Sequence, residues 1–302
     1  MNTNRPLMLG IVGDGGSGKA TLTRGVARLL GSNGVTPICL DDYQRYDRSE
    51  RLARRLTTAD PAANQLDLMA EHLAALRIGG TIQKPGYDHR CGVRRAPEAV
   101  AATGLVIAYG MHTLTPPSLA GLFDLTIYLE PDDDLQQIWR FARDTRERGY
   151  SAAQVISLQP ANDSAARRYV AGQRCYTDLV AHPHMVGNSD TAQTLELLVR
   201  RTPVLSPLQP FLAFVEAQAL PGTRVERGIA DEDGLIGDRL WIDAHLDPVV
   251  SQALLGSLWP PQSTSATLQL GAISSLSSAG ATSPGFTLIQ VLVSSLLVQS
   301  RG

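Results

Sequence analysis

The stretch Leu7–Leu30, LMLGIVGDGGSGKATLTRGVARLL, constrains the fold more than any other part of the chain. Leu7–Val12 is an apolar run of strand length, Gly13, Gly18 and Lys19 satisfy GxxxxGK, and Gly18–Leu30 has helix-compatible spacing. A strand, a glycine loop and a helix in that order let backbone N–H groups wrap a phosphate at the positive end of the helix dipole. The motif predicts an α/β fold of the P-loop NTPase type. Its nucleotide-binding loop comprises Gly13, Asp14, Gly15, Gly16, Ser17, Gly18, Lys19 and Thr21, with Lys19 offering a cation to the β- and γ-oxygens.

The pattern continues in alternation. Thr36–Leu40 repeats the strand signal and ends in Asp41 and Asp42, at a carboxyl end where open α/β sheets bind ligands. Asn64–Ile78 reads as a helix with Leu66, Met69, Leu73 and Leu76 on one face. Leu105–Ala108, followed by Tyr109, and Leu125–Leu129 read as further strands, the latter preceding a helical stretch from Asp132 to Arg148. Alternation of this kind predicts a mostly parallel sheet with helices on both faces. Beyond Gly187 the texture changes: Leu195–Val199, Leu212–Val215 and Leu240–Ala244 read as strands without helical crossovers, and 259–285 as a surface loop. The expected organisation is a P-loop core over 1–187 and a C-terminal, strand-rich extension over 188–302 that ends in a buried helix, FTLIQVLVSSLLVQS.

With 302 residues, 43% hydrophobic and 19% charged, the chain can bury a sizeable core. A formal charge of −2 gives no global reason to expect nucleic acid or an anionic membrane as partner. Cys39, Cys91 and Cys175 are too few and too scattered for a disulfide framework, which fits a reducing cytoplasm. The N-terminal apolar run leads straight into the glycine loop and reads as a strand rather than a signal peptide. The C-terminal apolar stretch is interrupted by Gln290, Ser294 and Ser295 and is shorter than the ~20 residues a bilayer requires. His182 and His184 form an HxH pair; with no third ligand motif nearby, a loop is favoured over a metal site.

Asp41, at the strand tip in CLDDYQRYDR, can take the proton of a hydroxyl as phosphoryl transfer proceeds, and the glycine loop favours this reading over a cap or turn. LDDYQRYDR, DPAANQLDLM, KPGYDHRCG and IWRFARDTRERGYS, in that order, resemble the phosphoribulokinase/uridine kinase family in its cyanobacterial and plant form. The resemblance runs to about Gln173 and is fainter in LWIDAHL and GFTLIQVL. It implies ATP-dependent phosphorylation of the 1-hydroxyl of ribulose 5-phosphate, in the Calvin cycle, by a homodimer that uses Mg²⁺. Asp41 would be the base, with Lys19 on the nucleotide phosphates. Arg48, Tyr87, His89, Arg143 and Arg148 would bind the sugar phosphate, and Arg140 stands where the family usually has lysine.

The motif departs from the family at several places. Ala20 replaces the magnesium-binding hydroxyl, and Tyr109 in AYGMH replaces the glutamate of EGLH. Gln44 replaces the histidine of DDYH, and Asn162-Asp163 falls where an arginine pair would hold the substrate phosphate. The redox-active cysteine pair of plant-type members maps onto Ser17 and Cys39, which excludes that bridge and leaves Cys39 as a small core residue. A well-placed electrostatic group can be worth roughly 3–4 kcal/mol, or ~100–1000-fold in turnover. Three readings therefore stand: a pentose-phosphate kinase of reduced activity, a nucleotide-binding pseudokinase that scaffolds or regulates a partner such as an active paralogue, and a kinase for another small hydroxyl substrate such as a nucleoside.

Overall fold

A computed structural model describes residues 5–187, 189–258 and 284–300. The chain forms two compact units, one from Met1–Lys19, Gly34–Leu129 and Gln136–Thr177, the other from Ala20–Asn33, Glu130–Leu135 and Asp178–Gly302.

The first unit is built on four parallel strands: β1 (Leu7–Val12), β2 (Val35–Cys39), β5 (Leu105–Gly110) and β6 (Leu125–Leu129), in spatial order β2-β5-β1-β6. Met8, Leu9, Ile11 and Val12 are fully buried, as an interior parallel strand covered on both faces requires. Pro37 is tolerated because β2 lies at the edge of the order, where one missing N–H breaks no ladder. Helix α3 (Leu66–Arg77) buries Met69, Leu73 and Leu76 against Met8, Ile38, Tyr43 and Val106, with Leu66 packed beside them, on the face read from the sequence.

A separate antiparallel hairpin, β3 (Thr81–Asp88) and β4 (Val93–Ala101), was not legible beforehand, because almost every residue of VRRAPEAVA is exposed and no inside-outside alternation marks it. The expected helix from Asp132 to Arg148 is shorter: α4 covers Asp133–Arg146 and gives way through Gly149, at φ 68, to α5 (Ala152–Tyr169). The start of α5 is fixed by a capping box in which Ser151 and Gln154 each accept from the other's backbone N–H.

The second unit carries the antiparallel strands β7 (Leu179–Val186), β8 (Ser189–Arg200), β9 (Thr223–Ala230) and β10 (Ile236–Ile242), ordered β7-β8-β10-β9. Three expectations change here. Leu212–Val215 is part of a helix, α6 (Gln209–Gln218), whose buried Phe211, Leu212 and Val215 follow a helical period that a four-residue apolar window cannot distinguish from a strand. A further helix, α7 (Pro248–Leu258), lies where none was expected. His182 and His184 stand on β7, not in a loop. The stretch read as a surface loop lies almost wholly outside the described residues.

The terminal helix α8 (Pro284–Gln299) is buried on nearly every side, including Gln290, Ser294 and Ser295. Among the described residues no helix is long and apolar enough to cross a membrane. Helix α1 (Lys19–Leu30) carries Gly25 where a Cβ would lie 2.1 Å from the Gln290 side chain. This fixes a sign. Gly→Ala inside a helix ordinarily stabilises by about 1 kcal/mol; here overpacking reverses it, so Gly25→Ala lowers stability by about 1–3 kcal/mol in chemical denaturation.

Candidate active site

The glycine loop begins where β1 ends. Gly13 has φ 153 and Gly16 φ 87, and a Cβ on Gly13 would sit 2.6 Å from the Leu129 carbonyl oxygen, so a side chain is excluded there by both conformation and space. Lys19 Nζ donates to the carbonyls of Gly13 (2.7 Å) and Asp14 (2.8 Å), holding the loop folded over its own ammonium. Burial pushes the Lys19 pKa down, and the carboxylates of Asp41 and Asp14 oppose that shift. Helix α4 grips the same loop from its other side. Arg140 Nε donates to the Gly15 carbonyl (2.9 Å), its Nη2 pairs with Asp14, and its Nη1 pairs with Asp163 at 2.9 Å. Gln136 adds donations to Asp14 (2.9 Å) and the Gly15 carbonyl (3.0 Å). Thr21 lies within α1, where its hydroxyl accepts from Arg24 at 3.3 Å. Ser17 is buried, and its Oγ has no partner among the described residues.

The parallel register aligns the strand ends. Cys39 of β2 is level with Tyr109 of β5, which is level with Ile11 of β1, so the turns that follow are brought together. Asp41 sits in the turn after β2, and its Oδ1 accepts from the backbone N–H of Met111 at 2.8 Å. The adjacent Asp42 is committed elsewhere, to Lys84 (2.6 Å) and to His89 Nε2 (2.8 Å). Burial alone would raise the Asp42 pKa, but those two donors outweigh it and hold the carboxyl below its usual range. Of the two carboxylates, Asp41 is the one with an oxygen available to the cavity.

That cavity, about 270 Å³, is lined by Asp41, Gly15, Tyr87 and His89 together with six arginines: Arg48, Arg51, Arg55, Arg140, Arg143 and Arg148. Three carboxylates, Asp14, Asp41 and Asp144, line it with them, and Asp163, outside the lining, pairs with Arg140. The sequence had singled out Arg48, Tyr87, His89, Arg143 and Arg148, and the fold brings all five to this wall. Arg48 Nη2 donates to the carbonyls of His89 (2.6 Å) and Arg148 (2.9 Å), and its guanidinium lies 4.0 Å from the Tyr150 ring centroid. It therefore orders two neighbouring wall residues. Arg143 is clamped by Asp144 at 2.7 Å, and burial followed by the nearby Arg148 charge pushes its pKa down.

Arg51 and Arg55 were missed, although with Arg48 they form an i, i+3, i+7 basic stripe on and just past helix α2 (Arg48–Ala53). Arg51 is 4% exposed and its Nε has no partner among the described residues. Arg55 has φ 55 at the left-handed position that ends α2: its N–H donates to Leu52 O and that of Leu56 to Arg51 O, a Schellman closure that usually employs glycine. Gln44 is buried too. Its Nε2 donates to Asn64 Oδ1 (2.8 Å), and its Oε1, without a partner among the described residues, belongs to a residue of the cavity wall.

Residues 8–191 match the model of the phosphoribulokinase / uridine kinase family. The chain belongs to that family. A phosphoribulokinase of Synechocystis sp. is 35% identical over 177 residues, which are 59% of this chain and 53% of that protein. The chain thus spans about half the length of the cyanobacterial and chloroplast phosphoribulokinases it matches. A uridine kinase of Deinococcus deserti is 32% identical over 206 residues, covering 66% of this chain and 97% of that one. In structure, the chain resembles a phosphoribulokinase from Rhodobacter spheroides with a TM-score of 0.62 at 16% identity, covering 85% of this chain and 96% of the other, a likeness of fold.

The magnesium ligands expected from the resemblance would fall on Ala20 and Tyr109, and neither side chain fits the ion. Ala20 offers a methyl group. Burial, then the adjacent Cys39 through its electrostatic effect and its hydrogen bond, drives the Tyr109 phenol well above its ordinary pKa and keeps it neutral, whereas Mg²⁺ takes carboxylate and phosphate oxygens. Burial likewise drives the Cys39 thiol up, so it is no reactive thiolate.

Proposed function

We propose that this family member binds ATP on the Gly13–Lys19 loop and transfers its γ-phosphoryl group to a hydroxyl of a phosphorylated pentose, ribulose 5-phosphate, held in the arginine-lined cavity. The observation that carries this reading is the cavity's charge: six arginines line it against three aspartates, and they remain in excess even with Asp163 paired to Arg140. A nucleoside acceptor brings no charge to balance such a wall. A sugar phosphate brings a dianion that guanidinium groups recognise in bidentate fashion.

The residues divide the work. Glycine-loop N–H groups and the Lys19 ammonium cradle the nucleotide phosphates, for which Lys19 exchanges its present carbonyl partners. Asp41, oriented by the Met111 N–H, accepts the proton of the attacking hydroxyl. Gln44 Oε1 accepts from a sugar hydroxyl, which satisfies an acceptor otherwise left buried and unmatched. Arg51 and Arg55 hold the acceptor's phosphate, with Arg143 and Arg148 neutralising charge that builds up during transfer. An acceptor panel tests the proposal: ADP formation depends on ribulose 5-phosphate and is absent with uridine or unphosphorylated ribulose. Turnover with uridine alone would move the chain to the nucleoside branch of the family.

Ala20 and the neutral Tyr109 favour a second reading, in which the chain binds nucleotide and sugar phosphate and acts chiefly as a pseudokinase. The same assay separates the two, since the pseudokinase shows ATP-dependent thermal stabilisation without ADP release.

Arg55 offers a test independent of turnover. A non-glycine residue in the left-handed region costs of order 1–3 kcal/mol, a cost that a purely structural position would have no reason to carry. Arg55→Gly is expected to melt at or above the parent temperature, because the relieved strain offsets glycine's extra chain entropy, while affinity for ribulose 5-phosphate falls roughly tenfold, as for one lost charge-assisted contact.

A further inference from the structure

The second unit contains a cluster that the proposed phosphoryl transfer does not use. His182 and His184 lie two residues apart on β7 and so share a face of the strand. The turn before α4 brings Asp132 between them: its Oδ1 is 3.3 Å from His182 Nε2 and 3.0 Å from His184 Nδ1. The three donor atoms lie within 4.8 Å of one another. We propose that Asp132, His182 and His184 form a binding site for a divalent transition-metal ion of the zinc class.

The geometry suits the ion. In a tetrahedral site with bonds of about 2.0–2.1 Å, neighbouring ligand atoms are about 3.3 Å apart, close to both oxygen–nitrogen separations here. Two imidazoles and one carboxylate are three protein ligands, leaving a fourth position for water or an exogenous ligand. All three side chains are between a quarter and a third exposed, so the ion has a way in.

The surroundings are arranged as an outer ligand shell. His184 Nε2, the nitrogen turned away from Asp132, lies 3.2 Å from Glu196 Oε2, and Arg239 Nε holds Glu196 Oε1 at 2.5 Å. A carboxylate on the far nitrogen fixes the tautomer that leaves Nδ1 free to ligate and raises its basicity. Asp132 is oriented in turn, because its Oδ2 accepts from the Met185 N–H at 2.9 Å and its own N–H donates to Pro183 O at 3.0 Å. His184 is stacked between His182 (4.2 Å, 15°) and Trp241 (5.3 Å, 20°), which holds the imidazole plane. The other three-residue group of this kind, Cys39, Asp42 and His89, lacks these features: Asp42 is paired with Lys84 and the thiol is held protonated by burial.

Calorimetric titration of tag-free, chelator-treated protein with Zn²⁺ tests the site. The expected result is about one equivalent bound with micromolar or tighter affinity. Co²⁺ in its place gives the visible absorption bands of a four-coordinate complex, which Zn²⁺ bleaches. His184→Gln and Asp132→Asn abolish both signals, and Glu196→Gln weakens binding roughly 10–100-fold, the usual effect of removing an outer-shell partner. Circular dichroism of each metal-free variant establishes that it is folded, and His182→Gln, at the more exposed imidazole, replaces any that is not. Absence of stoichiometric uptake, or equal affinity in the parent and the ligand variants, overturns the proposal.

Discussion

Asp41→Asn is expected to lower ribulose 5-phosphate-dependent ADP formation by roughly 10²–10⁴-fold, the contribution of a positioned general base, while ATP still raises the melting temperature as in the parent. The amide oxygen of asparagine can keep the bond from Met111 N–H, so the turn after β2 holds its shape and only the proton acceptor is lost. Asp42→Asn is the contrasting case. Its carboxylate anchors Lys84 and His89, so this substitution leaves the Lys84 ammonium without its counter-charge and weakens the hold on the His89 ring. It should lower stability and sugar affinity, with a smaller effect on the chemical step. Equal losses in turnover from the two variants would show that Asp41 has no special role. The pH dependence also follows. The Asp42 pKa is held below its unfolded value, so its contribution to stability is present above the ordinary aspartate range and is lost as pH falls through the depressed folded-state value.

The largest gain is expected from Ala20→Ser combined with Tyr109→Glu. Phosphoryl transfer depends on positioning and charge neutralisation, and a bound Mg²⁺ would supply charge neutralisation at the phosphates. The double substitution supplies a hydroxyl after Lys19 and a carboxylate at the end of β5, level with Cys39. The expected effect is a ~100–1000-fold rise in Mg²⁺-dependent turnover, the scale of a restored electrostatic group. Without metal, the new carboxylate would face Asp41 and Asp42, two of the charges that now raise the Tyr109 pKa. Each single substitution should therefore recover much less than the pair. An unchanged rate in the double variant would mean that the protein neutralises the developing charge by other means, with Arg140, Arg143 and Arg148 as the available cations.

Much of the first unit was legible in the sequence because its signals are local. β1 and β6 are apolar runs that stay buried on both faces, the α3 face keeps a helical period, and the GxxxxGK spacing specifies its own backbone shape. The hairpin β3–β4 was not, since an exposed, charged pair of strands held mostly by backbone pairing leaves no hydrophobic trace. Residues 212–215 misled for the opposite reason, a short apolar run compatible with either period. At the site, motif residues could be named one by one, whereas Arg51 and Arg55 needed the helical spacing of Arg48–Arg55 to be read as a stripe. Asp132 joins the histidines of β7 only through tertiary contact, about fifty residues away in sequence, which no local pattern encodes.

If the cavity beside Asp41 seats a phosphorylated sugar, the sugar's phosphate must contribute to binding. Calorimetric titration with ribulose 5-phosphate and, separately, with unphosphorylated ribulose measures this without requiring turnover. The phosphate should improve affinity by roughly tenfold or more, equivalent to one or two charge-assisted hydrogen bonds at about 1.5–3 kcal/mol, and Arg51→Met should remove most of that difference. Equal affinity for the two sugars, or no binding of either, would contradict it.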